Sequence, residues 1–186
     1  MRIISGTLKG KIIKFVKNSN TRPLKDSVKE NIFNILEHSN LLNVNIEQAN
    51  VLDLYSGIGS FGLECISRGA KKVTFVEQNT NAVNILKENL NLLSINNKAT
   101  IINSKIEKVL DNNEKQKFNI FFLDPPFVDN DFIKILNTIK KNKIYEAKYI
   151  IILHREKKNR EKLEDFINII LTKEYGRSKI IFGLFN

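Results

Sequence analysis

The chain has 186 residues, enough for one ordinary domain with a sizeable core and at most a small appendage. Hydrophobic residues make up 42% and charged residues 27%, a globular balance that excludes fibrous and disordered classes. The net charge of +10 fits a nucleic-acid partner, an anionic surface or simple lysine richness, so its distribution matters more than its size. Residues 1–29 hold Arg2, Lys9, Lys11, Lys14, Lys17, Arg22, Lys25 and Lys29 against Asp26 alone, which is +7 of the +10. The lone Cys65 excludes a disulfide within the chain, fits a reducing cytoplasm, and reads as core beside Leu63 and Ile66. No apolar run reaches the length of a membrane span, and the first eleven residues lack the apolar centre of a signal peptide, so a soluble cytoplasmic protein is expected.

Two β-branched runs, Ile3-Ile4 and Ile12-Ile13, flank a glycine-bearing connection and predict an N-terminal β-hairpin. A polar loop over residues 17–23 leads to a helix over about 27–38. Ser27 and Glu30 have capping-box spacing there, and Val28, Ile32, Ile35 and Leu36 share a face. An Asn-rich connection then separates an extension, residues 1–40, from the domain proper, residues 41–186. From Val51 onward, short apolar strands alternate with amphipathic helices, the pattern of a mostly parallel sheet covered on both faces. Strands are expected at 51–54, 73–76, 100–102, 118–123 and 149–153, and helices from Phe61, over 80–92, over 105–110 and around Ile133, Leu136 and Ile139. Residues 111–117 read as a charged solvated loop, and 155–165 as an exposed, charged helix or loop. Residues 167–185 read as a closing hairpin around Tyr175-Gly176-Arg177.

Two motifs carry chemistry. The first runs strand, glycine turn, helix, strand over residues 51–77, with Asp53, Tyr55, Gly57 and Gly59 at the turn and Glu77 at the tip of the second strand. Gly57-Ile58-Gly59-Ser60-Phe61-Gly62 matches the dinucleotide pattern, and an acid at that strand tip can accept from ribose hydroxyls. The glycines alone do not separate one nucleotide-type cofactor from another. The second motif, Asp124-Pro125-Pro126-Phe127, follows a buried strand and so falls at the switch-point crevice of a doubly wound sheet. Its prolines stiffen the loop. The Asp124 carboxylate and the Pro125 carbonyl are acceptors suited to an exocyclic amine, and Phe127 offers a ring on which a base can stack. His154 reads as a strand-end side chain without a catalytic role.

Together these motifs resemble the class I S-adenosylmethionine-dependent methyltransferases that modify exocyclic amines. Arg2-Ile3-Ile4-Ser5-Gly6, Arg22-Pro23, Gly62-Leu63-Glu64, Ser67-Arg68-Gly69-Ala70 and Tyr175-Gly176 narrow the likeness. They resemble the bacterial 16S ribosomal RNA guanine-N2 methyltransferase family, often called RsmD. The resemblance implies a Rossmann-like, seven-stranded, mostly parallel α/β sheet with an antiparallel last strand and the N-terminal hairpin as an extension. It implies methylation of one guanine of 16S ribosomal RNA within an assembling 30S subunit; a monomer without a metal is the default expectation beside it. By position, Asp53, Tyr55, Gly57, Gly59 and Glu77 would bind the cofactor and Asp124, Pro125, Pro126 and Phe127 would hold guanine N2. Arg2, Lys9, Lys11, Arg22 and Lys25 would meet RNA. Two positions depart from the pattern. Lys105-Ile106 stand where the family commonly has Asp-Ala to meet the adenine, and Leu24 replaces a Thr. Other readings are a DNA adenine-N6 methyltransferase, against which the lack of any sizeable insertion argues, a dinucleotide-dependent oxidoreductase, and a non-catalytic RNA-binding protein.

Overall fold

The computed structural model describes residues 1–15, 24–111, 116–127 and 131–186. The expected loop at 17–23, with Arg22, lies outside the described residues, as does most of the loop at 111–117. Seven strands form one sheet: β1 (Asn50–Leu54), β2 (Lys72–Glu77), β3 (Ala99–Asn103), β4 (Phe118–Leu123), β5 (Tyr145–Glu156), β6 (Ile167–Tyr175) and β7 (Ser178–Phe185). Their order is β3-β2-β1-β4-β5-β7-β6. The first five strands are parallel, whereas β7 inserts antiparallel between β5 and β6.

Helices α1 (Asp26–His38), α2 (Ser60–Ser67) and α3 (Thr80–Leu92) contribute to one core, and α4 (Ile106–Asp111) and α5 (Phe132–Asn142) to the other. Alternation along β1 divides the faces: Val51 belongs to the first core, Leu52 and Leu54 to the second. Stacked rings of Phe33, Phe61 and Phe122 link α1, α2 and β4, with centroids 5.1 and 4.0 Å apart.

The N-terminal hairpin is short, one antiparallel bridge from Arg2 to Ile12 with Ile3 N donating to Lys11 O at 2.9 Å and Ile13 N to Met1 O at 3.2 Å, and α2 anchors it. Glu64 accepts the Ile4 and Ser5 amides at 2.8 and 2.9 Å, and the Ser67 hydroxyl accepts from the Leu8 amide at 3.0 Å. Ile3 and Ile13 are buried in the first core. The expected capping box does not form. Lys25 is the N-cap of α1, without a side-chain cap bond, and Ser27 is already one residue inside the helix. The segment expected as exposed charge is not uniformly so: β5 runs on through Glu156, Arg155 is fully buried, and Leu163 joins the second core.

Candidate active site

A cavity of about 610 Å³ opens at the carboxyl ends of β1, β2 and β4. Here the chain reverses direction across the sheet: β2 and β3 extend to one side of β1, and β4 returns on the other. The crevice at such a switch point is where open α/β sheets receive ligands.

The residues expected to hold the cofactor and the amine converge there with one exception, while the described RNA-contact candidates Arg2, Lys9, Lys11 and Lys25 lie outside it. Asp53, Tyr55, Gly57 and Glu77 line the cavity together with Asp124, Pro125, Pro126 and Phe127. Gly59 does not line it. At φ +83° it makes the turn into α2, and a Cβ there would lie 2.4 Å from the Leu86 side chain, so close packing against α3 requires this glycine. Gly57 differs: at φ +53° a Cβ would meet nothing within 4 Å, leaving its backbone open to a ligand. Tyr55 also sits at positive φ, 58°, where few non-glycine residues go.

Asp53 is 1% exposed, and its Oδ2 accepts from the Gly62 amide at 3.0 Å. Burial pushes its carboxyl well above the usual range, the Gly62 bond opposes this, and the Asp124 and Glu77 charges add to it. Glu77 accepts the Gly57 amide at 2.8 Å and the Asn79 amide at 2.7 Å, which holds the first turn against the tip of β2. Asp124 Oδ1 is 2.8 Å from Nδ1 of His154, and Nε2 of that ring is 2.9 Å from the Ser178 hydroxyl. His154, near the end of β5, is therefore tied to Asp124 and lines the cavity, a partner for the acid that the sequence did not show.

Several lining residues were missed from sequence. Phe15, Leu24, Ser56, Ser60, Glu107 and Asp131 all face the cavity. Lys105 and Ile106 line it too, with Glu107 supplying a carboxylate beside them. Among the described residues, five acids, Asp53, Glu77, Glu107, Asp124 and Asp131, thus surround a space with Lys105 as its only lysine. The hydroxyls of Ser56 and Ser60 are buried there without a hydrogen-bond partner among the described residues. An acid-lined hollow with spare hydroxyls and an open glycine fits a polar, cationic, nucleoside-bearing ligand such as S-adenosylmethionine. Among the described residues no cluster of His, Cys, Asp or Glu could hold a metal ion. Cys65 is fully buried, and burial raises its thiol well above the ordinary value.

Strand order and cavity position define the class of protein as a class I methyltransferase fold. The chain belongs to the family described as conserved hypothetical protein 95, whose model matches residues 1–183, which is the family of the ribosomal RNA small subunit methyltransferases D. It is 34% identical to the ribosomal RNA small subunit methyltransferase D of Haemophilus influenzae over 84% of this chain and 79% of that one. The solved structure of yhhF from Escherichia coli is similar over the whole of this chain and 98% of its own, with a TM-score of 0.83 at 25% identity. The structure of SMU.776 complexed with SAH shares the fold, with a TM-score of 0.66 at 13% identity over 77% of this chain and 47% of that one.

Proposed function

We propose that this protein is a cytoplasmic enzyme that methylates the exocyclic N2 amine of a guanine in 16S ribosomal RNA, using S-adenosylmethionine. The reading is carried by one observation. The acid-lined strand ends and the tetrapeptide at residues 124–127 open into the same 610 Å³ cavity, so a cationic cofactor and a planar base can meet there. The names of the relatives support ribosomal RNA as the substrate class.

Ser56, Ser60, the Gly57 backbone, Asp53 and Glu77 would hold the cofactor, which when bound supplies an electrophilic methyl group and leaves as a neutral thioether. The protein's part is to prepare the amine. The lone pair of an exocyclic amine is delocalised into its ring. Acceptors placed on the two N–H groups favour a pyramidal nitrogen whose lone pair can attack in line. The Asp124 carboxylate and the Pro125 carbonyl take that role. Asp124 Oδ1 is already engaged by His154, while Oδ2 has no protein donor among the described residues. After the new N–C bond forms, the surplus proton leaves through the Asp124 carboxylate to solvent. Phe127 stacks on a guanine that must be unpaired or flipped to enter.

Residues 1–40 serve as the RNA-contacting extension of a methyltransferase domain at 41–186, which acts as a monomer on the assembling 30S subunit. Arg2, Lys9, Lys11 and Lys25 are exposed and free to meet phosphates. Arg22 belongs to the same proposed set from outside the described residues. The test is transfer of labelled methyl from S-adenosylmethionine to small-subunit particles, naked ribosomal RNA and DNA, followed by nucleoside analysis. N2-methylguanosine is expected, whereas labelled N6-methyladenosine would overturn the guanine assignment.

A further inference from the structure

We propose that His154 and Arg155, consecutive residues at the end of β5, are positioning residues that hold the tetrapeptide 124–127 in its amine-accepting shape. This rests on the amine-methylating reading of that site. The need follows from the chemistry of the loop. Pro125 and Pro126 have no N–H, so the loop cannot continue the ladder that joins β4 to β5, and the pairing stops at Leu123 opposite Leu153. The carbonyls of Pro126 and Phe127 must then find donors elsewhere.

Arg155 supplies them. Its Nη1 donates to Pro126 O at 3.1 Å and its Nη2 to Phe127 O at 3.0 Å, with Asn159 Nδ2 giving Phe127 O a second donor at 2.8 Å. Glu161 holds the guanidinium from its other edge through Nε at 2.7 Å and also through Nη2, and the group lies 4.5 Å from the centroid of the Phe132 ring. Arg155 is wholly buried. Burying an arginine is costly unless its bonds are met, and here they are met by the tetrapeptide and Glu161.

His154 grips the loop at different points, because successive strand side chains leave opposite faces of the sheet. Its Nδ1 bonds Asp124 Oδ1, its Nε2 is fixed by Ser178, and its ring meets Phe127 edge-on at 5.5 Å between centroids. A carboxylate pinned through one oxygen keeps its plane and presents the other to the amine. Arg155 thus fixes the backbone and His154 the acid.

The experiment compares His154→Leu, His154→Gln and Asn159→Ala with the unaltered protein, each first shown to be folded by its melting transition. Arg155→Met would strip the nearly buried Glu161 of its cationic partner and is expected to unfold, so Asn159→Ala, which removes a donor to both Phe127 O and Glu161, tests that arm. Turnover on small-subunit particles and calorimetric affinity for S-adenosylmethionine are measured for each. Misplacing reacting groups by about 1 Å costs on the order of a hundredfold in rate, and His154→Leu should lose kcat on that scale. KM for particles and cofactor affinity should stay unchanged, His154→Gln should regain part of the rate through its amide donor, and Asn159→Ala should lose less than His154→Leu. In ¹⁵N spectra the Nδ1 resonance of His154 should move when Asp124 becomes Asn. Undiminished kcat in His154→Leu and Asn159→Ala, a loss shared equally by cofactor affinity, or no recovery in His154→Gln would overturn the positioning roles. A wild-type protein silent on particles, RNA and DNA would instead overturn the methyl-transfer reading, and this proposal with it.

Discussion

Asp53 sits where β1 ends, buried, one oxygen satisfied by Gly62 and its carboxyl held well above the ordinary range by burial first and by the neighbouring Asp124 and Glu77 charges after that. The folded protein therefore binds this proton more tightly than the unfolded chain does. Its contribution to stability is complete below the ordinary carboxylate range and is lost as pH rises through the raised folded value. Asp53→Asn keeps an acceptor for the Gly62 amide and removes the buried charge, so the ligand-free variant should melt higher than wild type at neutral pH, with a flatter pH dependence. A cationic cofactor prefers the ionised form, so its affinity should rise with pH through the same window and its binding should release protons, seen as buffer-dependent heats in calorimetry. Asp53→Asn should bind it about tenfold more weakly, roughly 1.4 kcal/mol, and lose that dependence. The glycines separate in the same way. Gly59→Ala drives a methyl into Leu86 at positive φ and should cost about 1–3 kcal/mol in denaturant melts. Gly57→Ala meets no protein atom, so its main loss should be in cofactor affinity. The sequence placed both glycines in one turn but could not assign their separate tasks, because what a Cβ would strike depends on a helix twenty-odd residues away.

Among the elements, α2 does two jobs. It opens at the glycine turn, and on its far side Glu64, wholly buried, gathers the Ile4 and Ser5 amides, Arg68 Nε at 2.9 Å and Lys29 Nζ at 3.6 Å. Lys29 Nζ also donates to Arg2 O at 2.9 Å, so one carboxylate ties together α1, α2 and the N-terminal segment. Glu64→Gln removes the charge that offsets two buried cations and should cost about 3 kcal/mol. Amide exchange at Ile4 and Ser5 should quicken more than exchange in β1; equal change everywhere would argue for general loosening. Parallel strands and covering helices were legible because apolar runs and helical spacing report burial directly, as in residues 118–123 and 80–92. The hairpin was legible as two β-branched runs, yet its anchorage was not, since Glu64 lies some sixty residues on. The far end of β5 misled for a related reason. Arg155 and Glu161 look like surface charge in a lysine-rich stretch, and only folding brings them against the carbonyls of Pro126 and Phe127.

Over the whole molecule, charge is sorted by sign: a protein of net charge +10 surrounds its cavity with five acids. A polyanionic partner is then attracted to the exterior, while a cation is favoured within, so the two ligands of the proposed reaction do not compete for one field. The basic N-terminal sixth is less outward than its count implies. Lys29 is buried against Glu64, and Lys14, though exposed, pairs with Glu88 at 3.0 Å, which leaves Arg2, Lys9, Lys11 and Lys25 exposed and outside any ion pair among the described residues. Each phosphate contact contributes about 0.7 to the slope of log affinity against log salt for single-stranded RNA. If Lys9 and Lys11 each meet a phosphate, Lys9→Ala combined with Lys11→Ala should flatten that slope by roughly 1.4 in fluorescence titrations. The loss should be the same for related RNA sequences, because such contacts carry no base information. Lys14→Ala should change the slope less, its charge being already engaged. An unchanged slope in the double variant would move the RNA-contacting face away from the N-terminal segment, and a loss confined to one RNA sequence would make these lysines readers of bases instead.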